Sequence, residues 1–139
     1  MTLEQLEAYS YGRENFSREI ARYDEELKKV EIEAKKRIDP PRFQAEYDEA
    51  INELRQVLIE GREKRKTEWE KLKTEVETFF DEIDDFLTKA IFVERFINGK
   101  QWWDVVDAVA DFGRFSVDMI KQQCYRYLKK SEVEAKTDA

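Results

Sequence analysis

Residues 69–97 read WEKLKTEVETFFDEIDDFLTKAIFVERFI, and in them Trp69, Leu72, Val76, Phe79, Ile83, Phe86, Ala90, Val93 and Ile97 recur at steps of three or four. An α-helix turns once in about 3.6 residues, so this step keeps one apolar stripe on one face. The same spacing runs near the start of the chain through Leu6, Tyr9, Phe16, Ile20, Tyr23, Leu27, Val30 and Ala34. Two striped helices must bury their stripes against something. The expected fold class is therefore all-α: a long antiparallel, coiled-coil-like helical hairpin continuing into a shorter C-terminal helical hairpin, together a helical bundle.

Capping and breaking residues set the expected boundaries. Thr2 followed by Gln5 fits a capping box, and Lys35, Lys36 and Arg37 suit the negative pole of a helix end, which places helix 1 at about residues 2–37. Asp39-Pro40-Pro41 then stops it, because proline lacks the amide donor and constrains the residue before it. Helix 2 is expected at about 42–97, through Tyr47, Ile51, Leu54 and Leu58, across a polar waist at Gly61 and Arg65, to a left-handed stop at Asn98-Gly99. Helix 3 is expected at about 101–129, antiparallel to the end of helix 2. Residues 1–130 read as a single all-helical domain, and residues 131–139, SEVEAKTDA, as a disordered tail with nothing to bury.

Composition narrows the function. The 139 residues hold 25 basic and 32 acidic side chains, no histidine and one cysteine, Cys124. That removes the commonest general base, the commonest metal ligand and any intrachain disulfide. Ser10, Ser17, Ser116 and Ser131 lack a recognisable elbow or base, and no glycine-rich phosphate loop is present, so neither a cofactor nor a small-molecule substrate is expected. Gly113 reads as a close helix contact. Residues 74–112 carry ten carboxylates against Lys89, Arg95 and Lys100, a segment that repels phosphate backbones. The basic run at 62–73 lies within reach of Glu63, Glu68 and Glu70 and reads as solvated helix surface, so direct nucleic-acid binding is not expected. With no basic, apolar leader and no apolar run near about 18 residues, a cytoplasmic location and no membrane association are expected.

The final third says most about partners. At about 100° per residue, Asp104, Asp107, Asp111 and Asp118 fall within about 60° on a continuous helix 3, flanked by Arg114. Aspartate is a poor helix former, so its repeated use there points to short carboxylates wanted at fixed positions. The remaining positions of helix 3 are apolar over more than half the circumference, more than one neighbour can cover. Phe92 and Phe96 lie off the helix 2 seam and, with Trp102 and Trp103, form an aromatic knot at the turn. The expected partner-binding set is thus Phe92, Phe96, Trp102, Trp103, Asp104, Asp107, Asp111, Arg114 and Asp118. It suits a non-enzymatic interaction module with a protein partner. One version is an assembly or structural component forming a homo-oligomer. The other is a small acidic inhibitor of the immunity, antitoxin or anti-defence type.

One enzymatic alternative rests on a resemblance. Glu82-x-x-Asp85 and Asp104-x-x-Asp107 stand either side of a turn, and residues 104–111, DVVDAVAD, resemble the second motif of the all-α nucleoside triphosphate pyrophosphohydrolases. The resemblance covers residues 75–120 and implies magnesium held by Glu82, Asp85, Asp104 and Asp107, bridging triphosphate oxygens and activating water. The chain departs from that pattern by placing aspartate where the family usually has glutamate, and its long first half has no counterpart there.

Overall fold

The computed structural model describes residues 1–138, with side chains to Glu134. The fold is all-α. Five α-helices are formed among the described residues: α1 (Leu3–Ala34), α2 (Gln44–Asp81), α3 (Phe86–Phe92), α4 (Trp102–Ala108) and α5 (Val117–Asp138). A 3-10 turn (Pro41–Phe43) precedes α2, a π turn (Val93–Ile97) continues α3, and a second 3-10 turn (Ala110–Phe112) follows α4. The chain gathers into two compact units, one of Met1–Glu14 with Lys71–Ala139 and one of Asn15–Glu70.

In the unit of residues 15–70, α1 and α2 run antiparallel. Arg62 pairs with Asp24 at 2.9 Å, Arg55 with Glu31 at 2.6 Å, and Arg65 with Glu19. Such partly exposed pairs are worth about 1 kcal/mol or less each, so they fix register more than stability. Val30, Ile51 and Trp69 are buried along the seam, and the Phe16 and Trp69 rings stack at 5.5 Å. The polar waist does not break α2. Gly61 lets the helix approach the Tyr23 ring, 3.1 Å from where a Cβ would stand, and Arg65 fills its seam position over Phe16 while meeting Glu19. Helix 1 ends at Ala34, not near Arg37. The early stop follows from Gln44, whose side chain donates to the Lys36 carbonyl at 3.2 Å and accepts from the Ile38 N–H at 2.9 Å, ahead of a cis Asp39–Pro40 bond.

The other unit begins with the capping box: the Thr2 N–H donates to Gln5 Oε1 at 2.9 Å and the Gln5 N–H to Thr2 Oγ1 at 3.2 Å. Here two expected helices are broken. Helix 2 stops at Asp81 and restarts as α3 at Phe86. The cause is Asp85, which sits extended and accepts from the Thr88 N–H at 2.9 Å, a strong N-cap that the continuous apolar stripe conceals. The restart takes Phe86 off the seam and leaves it 79% exposed. The single helix expected at 101–129 is two helices, because Gly113 takes φ +148° and Ser116 Oγ accepts from the Met119 N–H at 3.2 Å to open α5. Gly113 is thus a turn element and not a helix contact.

The stop at Asn98-Gly99 is formed as read, with Gly99 at φ +67° and the Lys100 N–H reaching the Glu94 carbonyl at 3.1 Å. Residues 131–138 are not a disordered tail; they continue α5, and residue 139 lies outside the described residues. No glycine or proline interrupts them, and a helix already nucleated by the packed Ile120, Cys124 and Leu128 propagates one hydrogen bond per residue. The core of this unit is aromatic. Phe92, 0% exposed, meets the rings of Phe79 (5.6 Å), Phe80 (6.0 Å), Phe96 (5.9 Å) and Tyr127 (5.8 Å). Leu6 and Tyr9 from the start of α1 join it, Tyr9 edge-on to Phe80 at 6.2 Å. Much of the apolar surface that the sequence left without a partner is covered in this way.

Candidate protein-binding face

The geometry of α4 is set by its first two residues. Trp102 turns inward and is half-buried: its ring meets Phe96 edge-on at 6.5 Å and Tyr125 at 6.3 Å. The Arg95 guanidinium covers it at 5.0 Å, while Arg95 Nη1 donates to the Lys100 carbonyl at 2.7 Å. A step of about 100° per residue then directs Trp103 away from this packing. Trp103 is 63% exposed. Asp107, one turn on, and Asp104 share its outward side, and both are exposed.

Lys100, Asp104, Asp107 and Ala108 line a shallow depression of about 420 Å³. Lys100 is the only cation in that lining, yet its ammonium lies 2.6 Å from Glu94 Oε2. Pairing with Lys100 holds the Glu94 carboxyl below its ordinary value. Among the described residues Asp104, Asp107, Asp111 and Asp118 form no ion pair. The face therefore presents one large aromatic ring beside uncompensated carboxylates.

The nine residues singled out from sequence are only partly brought together. Phe92 and Phe96 are enclosed in the core and are not presented at the surface. Trp102 supports the face from beneath. Asp104 and Asp107 lie on α4, Asp111 in the following 3-10 turn, Arg114 in the loop and Asp118 in the first turn of α5, all exposed. The single 60° arc of aspartates does not exist, because Gly113 and Ser116 divide the helix on which it was drawn. Sequence reading also missed Arg95 and the Glu94–Lys100 pair. The signal was there in the Asn98-Gly99 turn, which folds residue 100 back toward residue 94.

The four carboxylates of the pyrophosphohydrolase resemblance do not converge. Glu82 and Asp85 line a cavity of about 610 Å³ with Asp84, Thr88, Gln123, Tyr127, Lys130 and Glu134, apart from the depression that holds Asp104 and Asp107. Asp85 is occupied as a cap, its carboxyl lowered by the hydrogen bonds from Thr88, and Thr88 in turn accepts from Gln123 Nε2 at 2.9 Å. In the same cavity burial raises the Tyr127 hydroxyl pKa, and the charges of Asp84, Glu134 and Glu82 add to the rise. Among the described residues no group of three or more histidine, cysteine or carboxylate side chains is placed to hold a metal ion. Cys124 is fully buried, and burial pushes its thiol up to about 12, which removes it as a nucleophile.

No helix among the described residues is long and apolar enough to cross a membrane. Comparison with protein-family models, with curated proteins and with solved structures gives no match to this chain.

Proposed function

We propose that this chain is a non-enzymatic protein–protein interaction module that docks through the outward face of α4 and the segment leading into α5. The observation that carries the reading is Trp103, 63% exposed directly after a tryptophan that packs inward. A tryptophan buries on the order of 200 Å² in full contact, so covering the exposed part at about 25 cal/mol per Å² returns about 3 kcal/mol. That is the scale of an interface hot spot, where tryptophan is enriched. Asp104 and Asp107 beside it supply the polar rim such an anchor needs, and Asp111, Arg114 and Asp118 stand exposed on the segment that follows. The occupant is another copy in an assembly, or a target that the chain covers as an acidic inhibitor.

Affinity capture with immobilised wild-type and Trp103→Ala chains tests the reading. The wild type should retain a partner that the variant releases, while the circular dichroism spectra match and the melts differ by only a few degrees. A partner held equally by both would remove the docking role from α4.

A further inference from the structure

Resting on the docking reading above, we infer that the occupant of the α4 face is a cationic surface of a different protein, with an apolar recess for Trp103, and not a second copy of this chain. The argument starts from the lysine that should have neutralised the face. Lys100 lines the same depression as Asp104 and Asp107, but its ammonium is held by Glu94 at 2.6 Å. The two carboxylates beside the indole are left without a cation, and a partner that supplies cations completes them.

A second copy is poorly suited to supply them, since each carries a net charge of −7. A two-fold contact uses the same patch on both chains, which would bring two copies of this acidic face together. A head-to-tail contact would need a free basic patch elsewhere on the chain. The basic residues elsewhere lie among carboxylates: Arg62 is paired with Asp24 at 2.9 Å, Arg65 with Glu19, Lys66 with Glu63 at 3.6 Å and Lys64 with Glu68 at 4.0 Å. Lys71 and Lys73 stand one helical turn from Glu75 and Glu77, and Arg126 and Lys130 share a cavity with Glu82, Asp84, Asp85 and Glu134. Nucleic acid fails for the opposite reason, since its phosphates meet carboxylates. The chemistry that remains is a protein surface with lysine or arginine around an apolar pocket.

The test uses two synthetic amphipathic helical peptides, one of lysine and leucine and one of glutamate and leucine, titrated into the full chain and read by tryptophan emission. The lysine peptide should bind with a blue shift, and the glutamate peptide should not. Affinity should fall about tenfold between about 50 and 300 mM salt. It should fall to a similar degree in Asp104→Asn/Asp107→Asn. The charge-matched control Glu49→Gln/Glu53→Gln should change it less than about twofold. Equal losses in the control and the aspartate variant would mean that only net charge is felt, and would overturn the inference. Sedimentation of the chain alone separates this inference from the docking reading. A dimer that Trp103→Ala dissolves would make the occupant a second copy, overturning the inference and leaving the docking face intact. A peptide bound as tightly by Trp103→Ala as by the wild type would sink the docking reading itself.

Discussion

The Lys100 ammonium sits 2.6 Å from Glu94 Oε2, and this pair decides the charge of the neighbouring face. Glu94→Gln should free Lys100 to turn toward Asp104 and Asp107, lowering affinity for a lysine-rich peptide several-fold, as read by fluorescence titration. It should also alter acid stability in a defined direction. The folded Glu94 carboxyl lies below its ordinary value, so its contribution is complete above the unfolded-state pKa and disappears as pH falls through the lowered folded value. Urea midpoints measured from neutral pH down into the acid range should therefore fall less steeply for Glu94→Gln than for the wild type. The pair is partly exposed, so the difference should stay under about 1 kcal/mol.

Asp85 caps α3 by accepting from the Thr88 N–H at 2.9 Å. Asp85→Ala should cost about 1 kcal/mol in urea unfolding, and Asp85→Asn less, because asparagine caps nearly as well. Equal losses in both variants would mean that the charge, and not the acceptor geometry toward Thr88, is what matters.

Phe92 and Trp103 should separate folding from docking. Phe92→Ala removes a ring at 0% exposure from the centre of the aromatic core and should cost about 3–5 kcal/mol, read as a large drop in melting temperature. Trp103→Ala should cost far less, on the order of 1 kcal/mol, since most of its surface is already in solvent.

Gly113 carries the turn that divides α4 from α5. At φ +148° an alanine is strained, and its Cβ would stand 3.2 Å from the Phe115 ring. Gly113→Ala should therefore destabilise by about 1 kcal/mol or more.

Cys124 offers a chemical check on core closure. With its thiol pushed up to about 12 and fully buried, it should resist a thiol reagent at mildly alkaline pH in the folded chain and react at once in denaturant. Fast reaction of the folded chain would show that α5 does not seal this part of the core.

The pattern of apolar steps made the helical class and much of the core legible: Leu6, Tyr9, Val30, Ile51, Trp69, Val76, Phe79 and Ile83 lie buried along the stripes read from sequence. The breaks at residues 82–85 and 113–116 were not legible from periodicity, since Ile83 and Phe86, or Phe115 and Met119, keep a helical step across them. What ends the helices is local chemistry at Asp85, Gly113 and Ser116. Asp85 was counted as charge when it acts as a cap. Because the aspartate arc was drawn on an unbroken helix, it dissolved with that helix. Trp103 was named from sequence, but its separation from Trp102 depends on Arg95 and Tyr125 packing against the latter, contacts across a turn that no periodicity encodes.

Acrylamide quenching of tryptophan emission, compared between the wild type and Trp103→Phe, tests the central claim most directly. An open Trp103 predicts a strongly quenched component in the wild type that Trp103→Phe lacks and that saturating lysine–leucine peptide protects. Identical quenching in the two proteins would show that the chain already covers this indole, and would contradict the docking face.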